Sequence, residues 1–135
     1  MSNKLYLGID PGRSKTGLAL VDAKGGIKKL HVVATADLAA ELVDFAGGVQ
    51  LGCIVVGNGT NSANVERVVE QALPGAELNV IKEAHSTEEA RSLYWQVNPP
   101  TGWRRLAPLG MLVPPVPLDA YAAVILVRRY LNQNR

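Results

Sequence analysis

Three acidic residues stand where the chain has to turn. The apolar run Leu5-Tyr6-Leu7-Gly8-Ile9 ends on Asp10, and Pro11-Gly12 turns the backbone immediately afterwards. Leu78-Asn79-Val80-Ile81-Lys82 ends on Glu83, and Asp119 heads a strongly apolar segment opened by Pro117-Leu118. A charge at the mouth of an apolar strand is costly unless it meets water, a partner or a metal. Taken singly, each acid has a plain explanation. Asp10 can initiate an Asp-Pro turn, Glu83 can be a solvated residue after a strand, and Asp119 can favour a helix N-terminus. Taken together they suggest a cation site. Two carboxylates about 4 Å apart repel by roughly 4 kcal/mol at an intermediate dielectric, and a divalent cation turns that repulsion into attraction. Hard oxygen ligands without a Cys/His cluster point to Mg²⁺ or Mn²⁺ rather than Zn²⁺. Carboxylate-held ions of this kind serve phosphodiester hydrolysis. Asp10, Glu83 and Asp119 are therefore the expected catalytic and metal-holding residues.

The surrounding pattern supplies elements to carry them. Lys4–Asp10, Thr16–Asp22 and Ile27–Thr35 read as strands, the last two joined through Lys24-Gly25-Gly26 as a hairpin. Asp37–Phe45 reads as a helix with Leu38, Leu42 and Phe45 on one face, stopped by Gly47-Gly48. Cys53–Gly57 has the unbroken apolar character of a buried parallel strand. Asn61–Leu73 reads as a helix lined by Val65, Val68, Val69 and Ala72, and Pro74-Gly75 ends it. A fifth strand, Leu78–Lys82, precedes a helix whose start at Ser86 has capping-box spacing to Glu89 and which runs to about Val97. Asn98–Pro117 holds six prolines and two glycines, and a final helix runs from Pro117 or Leu118 through Leu131.

The order β-β-β-α-β-α-β-α, loop, α predicts an α/β fold. Its five-stranded mixed sheet combines a three-strand antiparallel meander with two parallel strands, flanked by helices. Right-handed crossovers make strands one, four and five parallel, and ligand sites in such sheets lie at their C-terminal ends. Asp10, the Gly57-Asn58-Gly59-Thr60 run and Glu83 then open onto one rim, with Asp119 arriving from the last helix.

Several other residues have two readings each. Gly57 and Gly59 let backbone N–H groups approach a phosphate, with Asn58 and Thr60 donating; a tight turn into a helix capped by Asn61 explains the same run. His85 is either a proton acceptor or metal neighbour, or a solvated or capping histidine. Arg13 and Lys15, in the first hairpin, are phosphate contacts or plain surface charges. Trp103-Arg104-Arg105 in the long loop can stack on an unpaired base and pair with phosphate, or Trp103 can plug the core edge.

At 135 residues the chain is expected to be a single domain, residues 1–135. The longest apolar run, Ala120–Val127, is too short to span a bilayer, and Gly8 and Asp10 interrupt any signal-like stretch. Cys53 is the only cysteine, so no intrachain disulfide forms, and a cytoplasmic protein without membrane contact is expected. The net charge of +2 conceals an uneven distribution. Residues 1–30 carry six Lys/Arg against two acids and residues 98–135 five against one, while residues 31–97 carry three against nine. A basic face drawn from the two ends suits a phosphate backbone; a charge-balanced solvated surface is the alternative.

The runs LGIDPGRSKTGLALVD, VVGNGT, KEAHSTEEAR and LDAYAAVILVRRYL, in this order, resemble the YqgF-type (RuvX-like) family. The resemblance covers almost the whole chain. It implies an RNase H-like fold and a Holliday junction resolvase-like activity, or a role in rRNA processing at the 16S 5′ end and hence in ribosome biogenesis. It also implies that Asp10, Glu83 and Asp119 occupy the family's three acidic positions. The family commonly has Asp-Glu-Arg around its glutamate where this chain has Lys82-Glu83-Ala84. The related RuvC resolvases place a second acid one turn along the last helix, where this chain has Ala122. The expected function is a hydrolase, a Mg²⁺- or Mn²⁺-dependent nuclease. Its expected partner is structured nucleic acid, with RNA such as pre-16S rRNA favoured over branched DNA such as Holliday junctions, and with monomer and homodimer both open. Two other readings compete. One is a catalytically silent nucleic-acid-binding module, to which Asn58-Gly59-Thr60 lends a likeness to the YqgF-like domain of the transcription accessory protein Tex. The other is a fragment of an actin/Hsp70-like ATPase, whose phosphate loop also follows a first strand but which needs two such lobes.

Overall fold

Apolar alternation along the first three strands and unbroken apolar runs in the fourth resolve into a single sheet. The computed structural model describes residues 4–59, 61–84, 86–102, 106 and 114–133. Its strands are β1 (Leu5–Asp10), β2 (Lys15–Asp22), β3 (Ile27–Ala34), β4 (Leu51–Gly57) and β5 (Leu78–Ile81). Its helices are α1 (Leu38–Ala46), α2 (Ser62–Ala72), α3 (Ser86–Val97) and α4 (Asp119–Gln133). The sheet order is β3-β2-β1-β4-β5. β1 pairs antiparallel with β2 and β2 with β3, whereas β4 runs parallel to both β1 and β5. This is the expected mixed sheet, with β1 at its centre.

Side-chain alternation sends the strands' residues into two cores. Leu7, Ile9, Leu18, Leu20, Ile54 and Val56 face α1 and α2, which contribute Leu38, Leu42, Phe45, Val65 and Val69. Ala19, Val21, Cys53 and Val55 face α3 and α4, which contribute Ala90, Leu93 and the run from Ala122 to Val127. The apolar segment of α4 is thus a helix packed on the sheet and on α3. Among the described residues no helix is long and apolar enough to cross a membrane.

The β2–β3 turn is fixed by its own residues. Asp22 Oδ1 accepts from the N–H groups of Lys24 at 2.9 Å and Gly26 at 2.8 Å, and Gly25 takes a φ of +89°, a conformation that favours glycine.

Boundaries shift where backbone pairing extends or ends earlier than side-chain pattern suggests. β4 begins at Leu51 because Leu51 still pairs with Leu5 across an irregularity in the ladder. β5 stops at Ile81, the partner of Gly57, so Lys82 lies outside it. A short 3-10 turn, Thr35–Asp37, precedes α1. Ser86 is the first residue of α3 rather than its cap; it is buried, and its N–H donates to the Glu83 carbonyl at 2.8 Å. Asn61 does occupy the cap position of α2, but its side chain makes no capping bond.

Candidate active site

Asp10 closes β1, and its cross-strand partner in β2 is Gly17. Glu83 lies two residues beyond β5, and Asp119 opens α4. All three carboxyl-bearing residues are half-buried. Asp10 and Glu83 come within hydrogen-bonding reach of each other, and the charge of Asp119 acts on Asp10. Burial first, then the hydrogen bond and charge of Glu83, then the charge of Asp119, push Asp10 from the ordinary carboxylate value of 3.8 up to about 8. The proton that Asp10 keeps spares it a second like charge beside the neighbouring acids.

Glycines create the room for this meeting. A Cβ on Gly17 would collide with the carbonyl of Asp119 and lie 2.6 Å from the Ala120 nitrogen. A Cβ on Gly8 would strike the Ala123 carbonyl oxygen and lie 2.7 Å from Val127 Cγ2. The start of α4 therefore lies directly on β1 and β2, which is how Asp119 comes near Asp10. On the other side, a Cβ on Gly57 would collide with the Glu83 carboxyl, and one on Gly59 would stand 2.5 Å from Glu83 Oε2. The glycine run expected to admit a phosphate admits the Glu83 side chain. Asn58 reinforces this arrangement: its Oδ1 accepts from the Glu83 N–H at 3.0 Å, and its own N–H donates to the Ile81 carbonyl at 3.0 Å.

The turn after Asp10 is held by a second network that the sequence does not announce. Thr35 Oγ1 donates to the Gly12 carbonyl at 2.8 Å, and Asn61 Nδ2 donates to the same oxygen at 3.2 Å. With the Thr35 proton committed there, the fully buried Thr16 hydroxyl donates to Thr35 Oγ1 at 2.8 Å. The Thr35 N–H also donates to the Ser14 carbonyl at 2.9 Å. Arg13, in this pinned turn, and Lys15, the first residue of β2, are exposed. Thr60, His85, Trp103, Arg104 and Arg105, the remaining expected nucleic-acid contacts, lie outside the described residues. The one available signal for the missed glycine contacts is the presence of Gly8 and Gly17 inside apolar strands, where glycine marks a close backbone approach.

The donor set suits a hard divalent cation. Glu83 Oε1 is buried and has no hydrogen-bond partner, and the acids around Asp10 disfavour its charged form. Among the described residues no group of three His, Cys, Asp or Glu side chains is already gathered to hold a metal ion. Mg²⁺ does not require such a cage, since it binds through one or two carboxylates and completes its shell with water and substrate phosphate. Asp10 and Glu83 fit that requirement, with Asp119 close enough to add charge.

No family model matches the chain, and no curated protein matches its sequence. Solved structures do match. Thermus thermophilus RuvC in complex with a Holliday junction substrate aligns with a TM-score of 0.61 and 15% identity, over 98% of this chain and 96% of that one. A second Thermus thermophilus RuvC structure aligns at 0.59 and 16% identity, over 96% of each chain. The fold is RNase H-like. A ROK family transcriptional regulator, a homologue of the E. coli MLC protein, aligns at 0.48 and 16% identity; the match covers 67% of this chain but only 30% of that one.

Proposed function

We propose that this chain is a metal-dependent nuclease that hydrolyses phosphodiester bonds in structured nucleic acid, as a YqgF-type protein would. The observation that carries the proposal is the contact between the Asp10 and Glu83 carboxyls at one rim, with the Asp119 charge beside them. Burial and the neighbouring acids disfavour the ionised form of Asp10 in the metal-free site, which is explained if these residues serve to hold a cation. Bound there, Mg²⁺ or Mn²⁺ would supply activation of the attacking water and charge stabilisation of the leaving oxygen. Asp10 would hold the ion in its ionised form, its proton passing to solvent, and Asn58 keeps the Glu83 backbone in place through its 3.0 Å hydrogen bond. Arg13 and Lys15, exposed on the pinned turn and at the start of β2, offer positive charge to the phosphates that flank the scissile one.

Structured RNA, such as an rRNA precursor, is the substrate to which the sequence resemblance points. The RuvC neighbour bound to a Holliday junction makes a four-way DNA junction the alternative. The test is cleavage of single-stranded RNA, duplex RNA and a four-way DNA junction in parallel, in Mn²⁺, in Mg²⁺ and in EDTA. Metal-dependent cleavage that is lost in Asp119→Asn supports the proposal. Cleavage surviving both EDTA and the substitution would overturn it.

A second reading, a catalytically silent nucleic-acid-binding module, draws on the likeness of the Asn58-Gly59-Thr60 run to the YqgF-like domain of the transcription accessory protein Tex. Tight binding without cleavage of any of the three substrates selects it.

A further inference from the structure

Two cations meet at the end of the sheet away from the acids, and among the described residues neither has a carboxylate partner. Lys24 lies in the β2–β3 turn, and Arg128, Leu131 and Asn132 share one face of α4 through their i, i+3 and i+4 spacing. Together with Gly25 these residues line a pocket of about 230 Å³. Lys24 and Asn132 are exposed and Arg128 is half-buried, so the pocket opens to water.

Arg128 is set in place before any ligand arrives. Its Nε donates to the Gly25 carbonyl at 3.0 Å, and a Cβ on Gly25 would stand 3.4 Å from that nitrogen, so the side chain lies along the turn. The turn is closed by its own backbone: the Asp22 N–H donates to the Gly26 carbonyl at 2.9 Å and the Gly25 N–H to the Asp22 carbonyl at 3.0 Å. The terminal amino groups of Arg128, the Lys24 ammonium and the Asn132 amide make no hydrogen bond among the described residues. Nearby carboxylates are engaged elsewhere. Asp22 Oδ1 accepts from the Lys24 and Gly26 N–H groups, Asp22 Oδ2 stands 3.7 Å from Lys28 Nζ, and Glu89 holds Arg129 at 3.1 Å. Glu88 borders a different groove that also touches Arg128.

A guanidinium and an ammonium offer donors, positive charge and no acceptor, and an amide adds two further N–H donors. Three donor groups around one pocket suit the four oxygens of a phosphodiester better than the two of a carboxylate. We infer that Lys24, Arg128 and Asn132 form a phosphate subsite, remote from the three acids, that holds a backbone phosphodiester of the nucleic-acid substrate. Along the β1–β2 ladder Asp10 pairs with Gly17 at one end and Leu5 with Asp22 at the other, roughly 17 Å of strand away. A duplex arm of about five base pairs covers that length, so a structured substrate reaches the acids and the subsite together. The inference rests on the nucleic-acid reading above but not on catalysis.

The decisive variant is Lys24→Met, which leaves every backbone bond of the turn in place. Binding of a fluorescently labelled hairpin RNA and of a labelled four-way DNA junction is followed by anisotropy in EDTA, where metal-dependent cleavage is silent. Lys24→Met should weaken binding of the preferred nucleic acid several-fold and lower the slope of log affinity against log salt by about one, with the melting temperature unchanged. Arg128→Gln should weaken it roughly tenfold. Because that variant also loses the bond to Gly25, its melting temperature is measured alongside. Inorganic phosphate, followed by NMR, should shift the Lys24 and Gly25 amides and the Arg128 Nε–H of the parent, and acetate at equal ionic strength should not.

Unchanged affinity for both nucleic acids in Lys24→Met and Arg128→Gln overturns the inference. If Arg128→Gln melts earlier while affinity holds, the arginine serves the fold and the inference falls as well. Phosphate shifts without any loss of nucleic-acid affinity would assign the pocket to free phosphate, and acetate shifts as large as those of phosphate would assign it to a carboxylate partner; either overturns the subsite. A parent that cleaves in Mn²⁺ with affinity independent of these residues keeps the nuclease proposal and loses this one. A parent that binds through them and never cleaves does the reverse.

Discussion

Gly17 in β2 lies directly against the backbone of Asp119 at the start of α4, with no space for even a methyl group between them. Because Gly17 is also the cross-strand partner of Asp10, this one contact sets how near the acid of the last helix comes to the acid of the first strand. Gly17→Ala should push the helix start outward. Overpacking of this kind costs about 1–3 kcal/mol. Nuclease activity should fall by more than the lost folded fraction explains, which comparing specific activity with a thermal melt would reveal.

Gly57→Ala separates the two effects further. The atom it would strike is the end of the Glu83 side chain, which can swing away at modest cost. The expected outcome is a melting temperature within a few degrees of the parent's and weakened Mn²⁺ binding by calorimetry. Undisturbed metal binding would mean that Glu83 does not contribute a ligand from its present position.

The raised Asp10 gives a pH signature in the metal-free protein. Folded Asp10 keeps its proton up to about pH 8, whereas in the unfolded chain it ionises near 3.8. The folded state therefore binds more protons across that interval, and stability from this group is full below about 3.8. It declines as pH rises and is lost once pH passes about 8. Asp10→Asn should remove this slope and raise the melting temperature at pH 8.5 by several degrees in EDTA. Mn²⁺ should stabilise the parent at that pH and have little effect on the variant. A parent whose EDTA melting temperature is flat from pH 5 to 9 would contradict the raised Asp10.

Thr35→Val tests the turn after Asp10. It leaves the buried Thr16 hydroxyl without its acceptor and removes one of two donors to the Gly12 carbonyl. A loss of about 1–3 kcal/mol is expected. Adding Thr16→Val should recover part of that loss, because the stranded hydroxyl is gone. Urea denaturation of the two single variants and the double variant measures the coupling; strict additivity would show that the hydroxyls act independently.

For the loop, Arg104→Ala with Arg105→Ala should weaken nucleic-acid binding and lower the log–log salt slope by about two, with little change in melting temperature. A large stability loss with unchanged affinity would instead assign Trp103-Arg104-Arg105 to the fold.

The strands and helices were legible because their pattern is local. Apolar runs in β1, β2 and β4 and the faces of α1 and α2 lie within single elements, and the three acids stand at element ends where turn chemistry marks them. What stayed hidden depends on residues distant in sequence. Thr35 and Asn61 meet the Gly12 carbonyl across 23 and 49 positions, and nothing in their neighbours indicates it. Gly57 and Gly59 read equally as a phosphate approach or a tight turn, because glycine signals close approach without naming what approaches. Ser86 had the spacing of a cap, but burial drew it into the first turn of α3.

The position of α4 over β1 and β2 also sets the timing of assembly. Arg128 bonds the Gly25 carbonyl across 103 positions, so this helix closes on strands formed by the beginning of the chain. Until it does, Ala19, Val21 and Val55 present an uncovered apolar face, and Asp10 and Glu83 lack their third acid. A chain still emerging from the ribosome thus holds an incomplete acid set until the same step that covers its second core. Closure of the second core and completion of the acid set are, by this topology, one event, reached only when α4 docks on the sheet.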